Sequence, residues 1–107
     1  MSASFASQLR TRETIRLAAE GQGAITVRVQ MPDSWDALRF AVSPTDSVRS
    51  LKLQTLERLA PDAEYPESFV MKLRGWEILD ERATLTDVGA VSGSTFLLTS
   101  RRRRPVR

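Results

Sequence analysis

Between Ile25 and Val42 the chain changes character at every second residue. Ile25, Val27, Val29 and Met31 alternate with Thr26, Arg28 and Gln30. Side chains of a strand point to opposite faces in turn, so this spacing predicts a strand with one buried face. Pro32-Asp33-Ser34 is a turn cluster, and beyond it Leu38, Phe40 and Val42 alternate with Ala37, Arg39 and Ala41. Two such runs around a short polar break predict a β-hairpin.

The periodicity then lengthens. Pro44 ends the second strand, because it has no N–H to donate to a ladder. Ser47 is placed to cap a helix, with Asp46 near its positive end. Val48, Leu51, Thr55, Leu56 and Leu59 fall on one helical face, and Pro61 marks the end of the helix. Leu53 points away from that face and reads as a single exposed leucine. Period two returns in Phe69, Met71 and Leu73, which alternate with Val70, Lys72 and Arg74. Gly75 permits a turn, and Ile78-Leu79 suggest a brief fourth strand. Asp80 to Val91 reads as loop and short helical turn around Thr84-Leu85-Thr86-Asp87. Gly93-Ser94 leads into a last strand, with Phe96 and Leu98 on one face and Leu97 and Thr99 on the other. The predicted order is β-β-α-β-β-β.

Residues 1–23 carry no comparable pattern. A short helix from about Ser4 to Ala19 and an unfolded lead-in both fit, with Gly21 and Gly23 placed to stop a helix near Glu20. The segment is only weakly like a transit peptide, and it lacks the apolar core of a secretory signal.

Several segments, taken in order, resemble the ubiquitin family. Val42-Ser43-Pro44-Thr45-Asp46-Ser47-Val48 is similar to the family's entry into its helix. Leu73-Arg74-Gly75-Trp76-Glu77-Ile78-Leu79 resembles the strand end before the short fourth strand. Thr84-Leu85-Thr86-Asp87-Val88-Gly89 resembles the segment before the final turn, and Gly93-Ser94-Thr95-Phe96-Leu97-Leu98 the opening of the last strand. The resemblance covers residues 24–101. It implies an α+β ubiquitin-like β-grasp fold, in which a mixed sheet packs on one helix and Leu85 plugs the open end of the core. The expected organisation is an N-terminal extension over 1–23, the domain over 24–101 and a basic tail over 102–107.

Composition narrows the chemistry. The 107 residues suit one domain, and no apolar stretch approaches membrane-spanning length. The expectation is a soluble, cytoplasmic protein. With no cysteine and no histidine, the usual nucleophile–base pairs and the commonest metal ligands are missing. No enzyme activity, catalytic residue, metal, cofactor or small-molecule substrate is expected. Asp80 and Glu81 read as solvated charge in a loop. The net charge of +3 is concentrated: Arg101, Arg102, Arg103, Arg104 and Arg107 lie at the C-terminal end, and the remainder is slightly acidic.

The resemblance also sets two departures. Covalent modifiers of the family end in Gly-Gly, whereas here no glycine follows Gly93 and only Lys52 and Lys72 are lysines. A non-conjugating member with few linkage points is therefore expected. Many members bind partners through an apolar patch on the exposed sheet face. The outward positions here read as Val70, Lys72, Leu97 and Thr99, with Trp35 near the first hairpin turn. These five are the candidate partner-binding residues, with local packing as the alternative role for Trp35 and for Trp76. The first functional expectation is a non-covalent, ubiquitin-like adaptor that binds another protein through this face. The alternatives are anion or nucleic-acid binding through the arginine tail, salt-sensitive by nature, and a small subunit of a larger secretion or oxygenase-type assembly. The tail arginines suit an anionic partner, although blocks of like charge usually remain solvated.

Overall fold

The computed structural model describes residues 14–18, 23–32, 35–63 and 65–100. Among these residues six strands and one α-helix are arranged as β1 (Thr14–Arg16), β2 (Ile25–Met31), β3 (Asp36–Val42), α1 (Val48–Leu59), β4 (Phe69–Leu73), β5 (Trp76–Glu77) and β6 (Thr95–Ser100). They form one mixed sheet in the order β1-β3-β2-β6-β4-β5. β2 lies antiparallel to β3 and parallel to β6, while β4 is antiparallel to both β6 and β5.

The alternating runs fold as their spacing requires. Val27, Val29, Phe40, Val42, Met71, Leu73, Phe96 and Leu98 project from one face of the sheet into the core. From the other side Val48, Leu51 and Leu56 of α1 meet them, and Leu85 is fully buried against the same cluster. Helix and sheet each have one apolar face, and packing the two together is what removes both from water.

The start of α1 is closed by its surroundings. Ser47 caps it, accepting the Ser50 N–H at 3.0 Å. The N–H groups of Val48 and Arg49 donate to the carbonyls of Ala83 and Glu81. The first-turn donors that a helix leaves over are thus met by the loop before Leu85. The Asp46 carboxylate accepts the Ser43 N–H and shapes the turn that precedes the helix. The Thr84–Asp87 turn is held reciprocally, Thr84 N–H to Asp87 Oδ2 at 3.2 Å and Asp87 N–H to Thr84 Oγ1 at 3.0 Å. That brace points Leu85 inward.

Three expectations need correction. Residues 14–16 form neither helix nor unfolded lead-in but the strand β1, parallel to β3 in the register Thr14–Arg39, Ile15–Phe40 and Arg16–Ala41. Main-chain hydrogen bonding to β3 holds this short piece, which Ile15 anchors beside the core. Leu17 and Ala18 follow without helix, both N–H groups donating to the Ala41 carbonyl, and the remaining residues of the predicted helix, 4–13 and 19, lie outside the described residues. The fourth predicted strand sits two residues earlier, at Trp76–Glu77, because Arg74 and Gly75, both at positive φ, make a two-residue hairpin that starts the return strand at once. Finally, Glu81, read as solvated charge, is 17% exposed and pairs with Lys52, which is buried on the core side of α1 with 1% exposure.

Candidate functional site

The helix covers one face of the sheet, and the opposite face carries the side chains at the alternate positions. Register places them in rows. Thr14 of β1, Arg39 of β3, Arg28 of β2 and Thr95 of β6 lie side by side. The next row runs Ala37, Gln30, Leu97, Lys72 and Glu77. Val70 and Thr99 form a pair beyond it, and Arg16, Ala41 and Thr26 lie on the other side of the first row. No described acidic residue holds an outward position on β1, β2, β3, β4 or β6; Glu77 stands at the β5 edge.

The five residues expected from the sequence fall on this side of the molecule unequally. Lys72, Leu97 and Thr99 are half-buried on the outer face. Val70 holds the predicted outward position but is buried, with 5% exposure, which corrects the expectation that it is open to a partner. A valine rises only one carbon layer above the sheet. Thr99 lies directly opposite it, and the longer Lys72 and Leu97 flank it. Trp35 is 94% exposed and does not pack over the sheet edge, and Trp76 is likewise 78% exposed at the β5 edge. The arginines Arg101, Arg102, Arg103, Arg104 and Arg107 lie outside the described residues.

Two arginines that the sequence reading did not single out are open on this face where Val70 is not. Arg28 and Arg39 are exposed and directly opposite in the β2–β3 ladder. Arg28 lines two shallow grooves. One, of about 230 Å³, is formed with Thr26, Arg39, Gly93, Ser94 and Thr95. The other, of about 270 Å³, is formed with Gln30, Pro32, Trp35, Asp36 and Ala37. Their outward positions were readable from the alternation; that they oppose one another required the hairpin register.

A larger open depression of about 680 Å³ lies near the other edge, lined by residues that include Arg49, Lys52, Glu67, Leu79, Asp80 and Glu81. At it, Lys52 Nζ meets Glu81 Oε1 at 2.7 Å and the Phe69 carbonyl at 3.0 Å. Asp80 titrates below the ordinary aspartate range, first because the Arg82 N–H donates to it and then because the Arg82 side chain does. These groups satisfy one another. Among the described residues no group of three or more potential metal ligands converges.

The comparison with solved structures decides the fold. A ubiquitin-like domain of an Arabidopsis thaliana protein superposes with a TM-score of 0.63 at 18% identity, covering 85% of this chain and 92% of that one. The chain has the ubiquitin-like β-grasp fold. Caldiarchaeum subterraneum ubiquitin matches this ubiquitin-like chain with a TM-score of 0.62 at 18% identity, over 78% of this chain and 100% of its own. A designed protein based on ubiquitin gives 0.63 at 21% identity, over 81% and 100%. No protein-family model and no curated protein sequence matches the chain. At these identities the likeness speaks for the fold, and the function has to be argued from the surface.

Proposed function

We propose that this ubiquitin-like chain is a non-catalytic protein-binding module that engages its partner through the outer face of the sheet. The observation that supports this most is the composition of that face, which no described element covers. Leu97 sits half-buried at its middle between Gln30 and Lys72, with the open indole of Trp35 at the rim. A half-exposed apolar residue inside a polar surround, with an aromatic beside it, is the usual make-up of a binding hot spot. The lack of histidine and cysteine fits a role without chemistry. No described helix is long and apolar enough to cross a membrane.

Site-specific photocrosslinking in living cells tests the proposal. A photoreactive residue at Leu97 or Gln30 should yield discrete protein adducts. The same group at Leu53, on the outer side of α1, should yield few. Adducts that arise equally from Leu53, or from it alone, would contradict the assignment.

A further inference from the structure

β3 is hydrogen-bonded on both sides, but unequally. β2 meets it in antiparallel register along its whole length, from Ile25–Val42 to Met31–Asp36. On the other side β1 meets it in parallel over Thr14–Arg39, Ile15–Phe40 and Arg16–Ala41. The N–H groups of Leu17 and Ala18 then donate to the Ala41 carbonyl at 2.8 and 3.1 Å. β1 is an end strand of the sheet, with β3 as its neighbour. Parallel pairs are slightly weaker per residue than antiparallel ones, and short end strands open at low cost.

What seats along β3 has a definite pattern. Ile15 and Leu17, two residues apart, share one face of the strand, and both pack partly buried against the core. Ala18 follows, with 6% exposure. Thr14 and Arg16 point the other way and are exposed. The edge of β3 therefore offers main-chain partners, among them the Ala41 carbonyl, and beside them a seat for two apolar side chains at alternate positions and then a small one. A sheet edge of this kind takes up an added strand, whose backbone supplies affinity and whose alternate side chains supply selectivity.

We infer that the outer edge of β3 is a docking site for an extended segment of another protein with the pattern apolar–any–apolar–small, and that Thr14–Ala18 is its resident occupant, which such a segment displaces. The resident is itself a specimen of the ligand, and it sets the chemistry of the partner. The site lies at the edge of the sheet and is independent of the outer-face role proposed above. An incoming strand restores the main-chain bonds that the outgoing one gives up, so the resident's advantage is its covalent attachment, which raises its local concentration. Length favours the partner. Among the described residues β1 pairs with Arg39–Ala41, whereas β3 runs from Asp36 to Val42. A segment that extends further towards Asp36 makes pairs that β1 does not.

The test uses the full chain, as wild type and as Ile15→Asp/Leu17→Pro, which loses one apolar anchor and the N–H that meets the Ala41 carbonyl. The probes are a peptide with the sequence of residues 12–18 and one of the same composition with its apolar residues side by side. The double variant should keep a folded amide spectrum. The 12–18 peptide should shift its Arg39 and Ala41 amides, with half-saturation at least ~10-fold below that of wild type. The rearranged peptide should shift neither protein. An equal response from both proteins, a response to both peptides, or none at all would overturn the inference. So would loss of the folded spectrum, which would make Thr14–Ala18 an integral part of the fold. Wild type supplies a check that needs no variant: the Leu17 and Ala18 amides should exchange hydrogen at least ~100-fold faster than that of Val29 in β2. Equal protection would contradict a displaceable strand. Dimerisation of the double variant through the same amides would make a second copy the occupant and overturn the assignment to another protein.

Discussion

The ammonium of Lys52 lies 2.7 Å from Glu81 Oε1 and donates to the Phe69 carbonyl at 3.0 Å. One buried cation thereby joins α1, the loop that closes the helix start, and β4 near the sheet edge. An ammonium out of water is costly unless its donors are met, and here both partners are within hydrogen-bond range. Removing the carboxylate leaves the cation stranded. Glu81→Ala should lose about 3 kcal/mol or more in urea unfolding. The double variant Lys52→Met with Glu81→Leu, which removes both charges, should be clearly more stable than Glu81→Ala. Equal losses would show that the pair is not the linchpin of this corner.

Leu51 is fully buried under the helix, whereas Leu53 is exposed on its outer side. Leu51→Ala should cost about 2–5 kcal/mol by chemical denaturation. Leu53→Ala should stay within about 0.5 kcal/mol. A loss at Leu51 no larger than at Leu53 would mean that the helix is rotated from the orientation described.

Val70 and Leu97 occupy the same face but differ in burial, and a charge distinguishes them. Val70→Glu forces a carboxylate into a covered position and should cost several kcal/mol, on the order of 3. Leu97→Glu can turn its carboxylate to solvent and should cost about 1 kcal/mol or less. Thermal unfolding of both variants compares them, and a Val70→Glu variant as stable as wild type would refute the burial.

Asp80 should titrate below the usual aspartate range in a carboxyl NMR titration, because its charged form accepts two hydrogen bonds from Arg82. A pKa lowered in the folded state means that the unfolded chain binds the proton more readily. The contribution to stability is therefore present above the unfolded pKa and is lost as pH falls through the folded value. Since Asp80 is largely exposed, solvent screens the effect, and Asp80→Asn should shift the neutral-pH unfolding midpoint only slightly.

The core of this fold was readable from spacing alone. The alternation in Ile25–Met31 and the 3–4 spacing from Val48 to Leu59 name nearly the same inward residues that the structure buries. What escaped did so for physical reasons. Thr14–Arg16 has one apolar residue, so its pattern is too short to register; what makes it a strand is a ladder to β3, which is not local in sequence. Lys52 stands four residues after Val48 on the inward face, yet its residue type points to solvent until Glu81, far along the chain, supplies the counter-charge. Val70 was placed on the correct face, but alternation predicts direction and not the height of neighbouring side chains. Trp35 was noticed as an aromatic near a turn; its strain and exposure are properties of backbone geometry that composition does not carry.

The central claim is that the outer sheet face, and not the arginine run, holds the partner. The most direct measurement is the affinity of a crosslinked and identified partner for three proteins at two salt concentrations: wild type, the Arg28→Glu/Leu97→Glu variant, and the chain ended at Ser100. The account predicts a loss of more than about 2 kcal/mol for the double variant. It also predicts a near-normal affinity for the shortened chain, with the salt dependence of wild type largely retained because the face itself is charged. Binding that vanishes with residues 101–107, and that ignores the change at Arg28 and Leu97, would contradict it.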